Sequence, residues 1–461
     1  MSQLLEQIGA IVGPQGLLTG ADVAQRAGDW MGLSTCQAKA VVRPASTQEL
    51  SQVMALCHAA GQSVVPAGGL TGLVHGADCQ PDDIQVSLER MRAVQSIDPV
   101  GRSMIVEAGC PVQAAQEAAE AQGLKFAVDW GARGTATIGG GISTNAGGNS
   151  VVRYGMMRDN VLGLEAVLAD GTVISAMNTL VKNNAAYDLK HLFIGSEGTL
   201  GIVTRAVLKL QSAPLSTQTA LLALGGFDAV QHLFMLAGKR LGSALTSFEV
   251  MWANFYEPIG ITMGRHTPPL PGGHSHYVLI ETSGNDPERD AAQFEAVLGE
   301  ALEQGIVLDA TIAASKAQAA GIWKIRDDIE GLFQHTLPAV TFDVSLPIVA
   351  MQDYVRGIEA EATAAFGQGF KFVVFGHIGD GNLHIILGTQ PFTDQTRHRI
   401  EEIVYSPLKA LGGSISAEHG IGLEKRDWLT MCRSDAEIAL MRTLKTAMDP
   451  KGILNPGKVL A

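Results

Sequence analysis

At 461 residues the chain exceeds what one hydrophobic core usually serves, so two or three domains are expected. Hydrophobic residues make up 46% and charged residues 17%, the balance of a packed chain; the net charge of −13, with no Lys/Arg cluster, excludes a nucleic-acid footprint. The opening MSQLLEQIGAIVGPQG has no basic region and no run of about 18 apolar residues occurs, which predicts a cytoplasmic protein without a membrane span.

In chain order, AVVRP from Ala40 predicts a strand. Ser46 and Glu49 then have capping-box spacing, and Leu50, Val53, Met54 and Cys57 share one face of a helix that Gly61 ends. SVVPAGGLTG runs from a buried strand into a glycine loop. MIVEAG predicts another strand, followed by a helix from Pro111 that stops near Gly123. VLGLEAVLADG and GIVTRAVLKL read as strands, and the polar stretch Gln211 to Pro214 as a domain boundary. Beyond it, helical stretches alternate with HYVLIE, AVTFDVSLP and FKFVVFGH, which predicts a second α+β domain. Ile322, Ile325, Ile329 and Phe333 form one helical apolar stripe there. The tail reads as helical from about Ala417 and closes in DPKGILNPGKVLA.

Five cysteines, Cys36, Cys57, Cys79, Cys110 and Cys432, never form Cys-x-x-Cys, so neither a disulfide frame nor a thiolate zinc site is expected. No Gly-x-Gly-x-x-Gly turn occurs, which argues against a nicotinamide cofactor. Instead the glycines, 53 in all, gather at PAGGLTG (66–72), GTATIGGGISTNAGG (134–148) and GSEGTLG (195–201), with NPGK at 455–458. One such cluster alone is a tight turn. Four, in an acidic chain where backbone N–H groups are the natural phosphate partners, point to a long anionic cofactor.

These clusters, with RYG at 153–155, LGLEAVLADGT at 162–172 and AYDLKHLFIGSEGTLGIVT at 186–204, resemble the vanillyl-alcohol-oxidase (p-cresol-methylhydroxylase-like) flavoproteins, and within them the D-2-hydroxyglutarate and D-lactate dehydrogenase branch. The resemblance spans nearly the whole chain. It implies an α+β fold: an FAD-binding domain of two α+β subdomains over 1–214, a substrate or cap domain over 215–416, and a C-terminal segment over 417–461 that returns to the flavin. It further implies non-covalent FAD held by Pro66, Gly68, Gly69, Leu70, Thr71 and Gly72 at the pyrophosphate. Thr135, Thr137, Gly140, Asn145 and Gly148 would line the diphosphate and ring, with Gly198, Ile202 and Asn455 nearby. Leu70 stands where the family usually has asparagine.

A second constellation follows from the residues themselves. In KFVVFGHIGDGNLHIIL, His377 and His384 flank a Gly/Asp/Asn turn between two strand-like runs, so a hairpin would bring the rings together. Glu418 in SISAEHG suggests a third ligand and His419 a titratable base. Two histidines and a carboxylate with open positions suit Zn²⁺ or a related divalent ion such as Mn²⁺ in a catalytic site. A lone histidine beside such a turn is ordinarily a hydrogen-bonded loop residue; the joint pattern carries the reading. His274 and His276 lack that frame and read as surface residues.

The resemblance implies the same ligands, His419 as general base, and Arg326, by default a solvated flank, as the partner of a substrate carboxylate. Glu330, Thr341 and Ile386 occupy substrate positions where the hydroxyglutarate enzymes carry threonine, lysine and asparagine. A cation and an amide are thus lost and an anion gained, which favours a monocarboxylic D-2-hydroxy acid with a neutral side chain over D-2-hydroxyglutarate itself. An alkylglycerone-phosphate-synthase-like transferase and a non-catalytic flavin subunit of a glycolate-oxidising complex are further alternatives, both disfavoured by the metal set. Electron transfer flavoprotein, a quinone or a cytochrome would suit as acceptor, and a homodimer is expected.

Overall fold

The computed structural model describes residues 3–30, 32 and 34–460. The chain divides into two compact units: residues 1–148, 155–213 and 418–461 form the first, and 149–154 with 214–417 the second.

In the first unit, β1 (Leu17–Thr19), β2 (Ala40–Val42), β3 (Val64–Ala67) and β4 (Ile84–Ser87) form a sheet of order β1-β2-β4-β3, in which β3 and β2 flank β4 in parallel. The helix Thr47–Ala60 makes one of these crossovers. Ser46 caps it by accepting from Glu49 N at 3.1 Å, Glu49 Oε2 reaches back to Ala45 N, and Leu50, Val53, Met54 and Cys57 are its buried face. A second, antiparallel sheet has the order β5-β6-β10-β8-β9, from β5 (Val94–Asp98), β6 (Ser103–Glu107), β8 (Val161–Val167), β9 (Val173–Ala176) and β10 (Ile202–Lys209). The short pair β7 (Leu124–Lys125) and β11 (Gln211–Ser212) completes the strands. One core runs beneath both larger sheets and includes Ile453 and Leu454 from the tail.

The second unit is a seven-stranded sheet of order β15-β12-β14-β13-β17-β18-β16, built from β12 (Ser216–Leu224), β13 (Leu245–Trp252), β14 (His276–Gly284), β15 (Asp309–Ile312), β16 (Val340–Ser345), β17 (Lys371–His377) and β18 (Asn382–Gly388). All six pairings within it are antiparallel, so side chains alternate between faces with period two. On one face Leu221, Leu279, Met251, Phe375, Val373 and Ile386 join a cluster with Ile322, Ile325 and Leu332 from the helices Lys316–Arg326 and Ile329–Thr336. The other face receives the helix Phe227–Leu241, where Phe234 meets Phe248 (ring centroids 5.0 Å), and the helix Asp394–Leu411, where Tyr405 meets Phe342 (5.1 Å).

Two sequence expectations are corrected. The stripe from Ile322 to Phe333 is not one helix: it breaks at Asp327–Asp328, because Asp328 caps a new helix by accepting from Gly331 N and also binds Arg265 and His266. Ile329 is consequently exposed. The tail, too, is not helical from Ala417. Gly420 and Gly422 have φ of 87° and 52°, and the helix begins at Asp435, capped by Ser434 with Glu437.

Candidate functional site

In the first unit the glycine loops converge. Pro66 lies in β3 and the loop from Gly68 to Gly72 follows it. Thr137 caps the short helix Ile138–Thr144, accepting from Gly140 N, and Asn145 ends it with a φ of 53°. A Cβ on Gly69 would lie 2.0 Å from Thr135 O, and one on Gly68 2.9 Å from Thr137 Oγ1, so only glycine lets these two loops touch. Gly198 packs on Pro66 in the same way, at 2.9 Å.

Asn455 closes the set. Its backbone N–H donates to Val64 O and its Nδ2 to both Gly76 O and Glu197 O, which fixes the amide; its Oδ1 is buried without a partner. An orphaned buried acceptor beside a cradle of backbone donors fits a cofactor carrying both a ring N–H and phosphates. By contrast a Cβ on Gly72 would meet nothing within 4 Å, and Ile202 packs its side chain into the core. Gly148, whose Cβ would meet Asp129 O at 1.9 Å, donates its N–H to Glu418 Oε1 at 2.6 Å. Leu70 takes a left-handed conformation (φ 55°), one that asparagine tolerates better than leucine.

The second unit holds the other constellation. β17 and β18 are joined by the turn Ile378–Asp380, and the hairpin sets the rings of His377 and His384 5.3 Å apart at 78°, with a ring nitrogen of each within 4.8 Å of the other. Both face the same side of the sheet, at the edge of the apolar cluster. Across from His377 stands Glu249 on β13, and across from His384 stands Asp343 on β16.

Glu249, 1% exposed, accepts from His377 Nδ1 at 2.7 Å and from Arg326 Nε and Nη2 at 2.9 Å. Burial pushes its carboxyl up, yet His377 and Arg326 together outweigh this and hold it below the usual carboxylate range. Because a carboxylate only accepts, Nδ1 carries the proton and Nε2 keeps its lone pair. An Arg326 Nη2 lies 3.2 Å from that Nε2.

Arg326 is therefore not a solvated flank: it is 4% exposed, with its guanidinium 4.8 Å from the Phe375 ring centre. Glu330, expected at the substrate, has a side chain 73% exposed and paired with Arg265. Thr341 and Ile386 are cross-strand partners on the face of Asp343 and His384, and Ile386 belongs to the apolar cluster. His276 is corrected outright: it is buried against Trp252 (4.9 Å) and Phe227 (5.8 Å), and burial depresses its imidazole to about 4.

Sequence reasoning missed Glu249 and Asp343. Each is an acid between phenylalanine and valine inside a strand, and a carboxylate in an otherwise apolar strand signals a buried partner.

Comparison with known proteins places this geometry. Residues 38–176 match the family described as FAD binding domain, and residues 213–459 match FAD linked oxidases, C-terminal domain. The chain belongs to the FAD-linked oxidases. It is 40% identical, over 95% of its length and 93% of the relative's, to a D-2-hydroxyglutarate dehydrogenase of Xanthomonas citri pv. viticola. A probable mitochondrial D-2-hydroxyglutarate dehydrogenase of Oryza sativa subsp. indica is 38% identical over 98% of this chain and 80% of that one. In fold the enzyme matches p-cresol methylhydroxylase, with a TM-score of 0.78 and 14% identity over 99% of this chain and 96% of that one. The enzyme is thus an FAD-dependent D-2-hydroxyacid dehydrogenase that shares the fold of p-cresol methylhydroxylase. None of its helices, among the described residues, is long and apolar enough to cross a membrane.

Proposed function

We propose that this dehydrogenase oxidises a monocarboxylic D-2-hydroxy acid with a neutral side chain to the 2-oxo acid, at a divalent cation held by His377, His384 and Glu418. The observation that carries the metal reading is the Glu249–His377 bond, since a ligating histidine characteristically donates its other ring N–H to a carboxylate. Connectivity supports Glu418 as the third ligand: Ala417 N is bound to Asp343 O and Oδ2, at 3.2 and 3.1 Å, and Glu418 is the next residue. Consecutive Cα atoms are about 3.8 Å apart. Glu418 and His419 therefore follow directly on a residue whose N–H is bound to the cross-strand partner of His384.

In this reading the Arg326 guanidinium pairs with the substrate carboxylate, and His419 takes the hydroxyl proton as the Cα hydrogen departs. A bound divalent ion would lower the pKa of that hydroxyl, and FAD, when bound, supplies the two-electron oxidant. The preference for one carboxylate rests on the neutral pair Thr341 and Ile386 on the sheet face next to Asp343 and His384. Glu330 no longer supports it, because Arg265 balances its charge at the surface. The relatives' names favour a second reading, D-2-hydroxyglutarate itself, with a cation from elsewhere taking the second carboxylate.

Anaerobic bleaching of the flavin with D- and L-2-hydroxy acids separates the readings. D-lactate and larger neutral D-acids should bleach it fastest, chelation should abolish bleaching, and zinc or manganese should restore it. Faster bleaching by D-2-hydroxyglutarate would overturn the substrate preference, and indifference to chelation of a demonstrably metal-free enzyme would overturn the metal. In Thr341→Lys, kcat/KM for D-2-hydroxyglutarate relative to D-lactate should rise by about tenfold or more, the worth of one charge-assisted bond.

A further inference from the structure

The segment Ala417–Gly422 carries both Glu418 and His419, yet it has no helix or strand to hold it. It is instead anchored at its two ends by carboxylates: the buried Asp343 on β16, and Glu197, which lies within the glycine cluster GSEGTLG. At the leading end Asp343, wholly buried, accepts from Ala417 N at 3.1 Å, from Ser416 Oγ at 3.3 Å and from Asn382 Nδ2 at 3.2 Å. At the trailing end Glu197 accepts from Ile421 N at 2.7 Å through one oxygen and from Gly422 N at 2.8 Å through the other.

The trailing anchor is a backbone nest, successive N–H groups turned inward around an anion. Gly420 makes it possible. Its φ is 87°, and a Cβ there would lie 2.8 Å from Glu197 Oε1, so a side chain would force the carboxylate away. Burial pushes the Glu197 carboxyl up, against the two N–H groups and Lys425, which pull it down. Asn455 Nδ2 in turn holds the Glu197 carbonyl.

We infer that Asp343 and Glu197 are positioning residues of the dehydrogenation, which act by fixing the backbone on either side of Glu418 and His419. This rests on the metal reading above and extends it. Each anchor needs two acceptor oxygens. In Glu197→Gln an amide NH₂ would confront Ile421 N–H or Gly422 N–H, and in Asp343→Asn it would confront the N–H of Ala417 or of Asn382. One bond at each site is thus replaced by a donor–donor contact even though size and shape are kept.

The test uses the FAD-loaded full chain and its Asp343→Asn and Glu197→Gln variants, with bound metal quantified by elemental analysis and zinc affinity by competition with a chelator. Both variants should keep their FAD and show zinc affinity weakened about 10- to 100-fold, as loss of a metal site's supporting contacts does. At saturating zinc, kcat should stay depressed by a similar factor with KM little changed, and a primary deuterium effect from the substrate Cα–H should grow as hydrogen transfer becomes limiting. Variants that retain wild-type zinc affinity and kcat, or that lose only thermal stability, would overturn the inference. A wild-type enzyme that neither holds nor responds to a divalent ion would instead overturn the metal reading. In that case the kcat and isotope effects of Glu197→Gln still decide whether His419 is positioned this way.

Discussion

Glu249 is where stability and chemistry can be separated by experiment. Its carboxylate is 1% exposed and binds both His377 and Arg326, the latter itself 4% exposed, so Glu249→Ala strands a guanidinium in the interior. Asp327, 3.6 Å from Nη1 and partly in solvent, is a poor substitute. Loss of one partner of a buried pair costs about 3–5 kcal/mol. Glu249→Gln should cost nearly as much despite its shape. With the amide oxygen on His377 Nδ1–H, the NH₂ faces Arg326 N–H groups; with the oxygen on Arg326, the NH₂ faces Nδ1 and drives the proton to Nε2, 3.2 Å from an Arg326 donor. Either arrangement opposes donor to donor and leaves a charged group underbonded, about 2–4 kcal/mol. Removing both charges, in Glu249→Leu with Arg326→Met, should recover most of that stability while activity stays lost. Urea unfolding of the FAD-loaded proteins, followed by flavin fluorescence and circular dichroism, measures these differences. If the glutamine variant lies within about 0.5 kcal/mol of wild type, below the worth of one hydrogen bond, or the double variant is no more stable than the single ones, the paired-charge argument fails.

Two further outcomes concern the first unit. Leu70→Asn should raise the melting temperature by about 2 °C, because asparagine tolerates the left-handed conformation at roughly 1 kcal/mol less cost than leucine; unchanged or lowered melting would refute the strain. His75 is held up to about 10 by its hydrogen bond with Asp78 and then Glu424, so its stabilisation is complete below about pH 6.5 and is lost as pH rises toward 10. His75→Gln should flatten that part of the melting-temperature profile by a small amount, since the ring is half exposed; an unchanged slope would show that the pair is screened.

Where local chemistry dictates structure, the sequence was legible. Ser46 with Glu49 marked a real cap, and the two strand-like runs around IGDGN did form the hairpin that pairs His377 with His384. The glycine clusters signalled close backbone approach, and Gly68 and Gly69 show it. Legibility failed where a distant element decides the outcome. The stripe from Ile322 to Phe333 has helical period throughout, but Arg265 and His266 recruit Asp328 and break it. His276 looked like a surface residue because its cover, Phe227 and Trp252, lies 24 or more positions away in the chain. Nothing in residues 149–154 marks them as belonging with a unit that otherwise starts at Pro214.

The same period of two explains why one sheet face serves as both core and site. From β17 outward along that face, Val373 and Phe375 are apolar and His377 is not; on β13 the step falls between Met251 and Glu249, and on β18 between Ile386 and His384. The polar residues therefore line up at one edge of a packed layer, where their backbones are fixed by the ladder and their rotamers by apolar neighbours. A carboxylate and two imidazoles placed there, with the Arg326 guanidinium reaching them from the helix Lys316–Arg326, lose little freedom when a ligand arrives, because folding has already restricted it. That is the physical reason to expect catalytic defects, and not merely instability, from changes as small as glutamate to glutamine on this row.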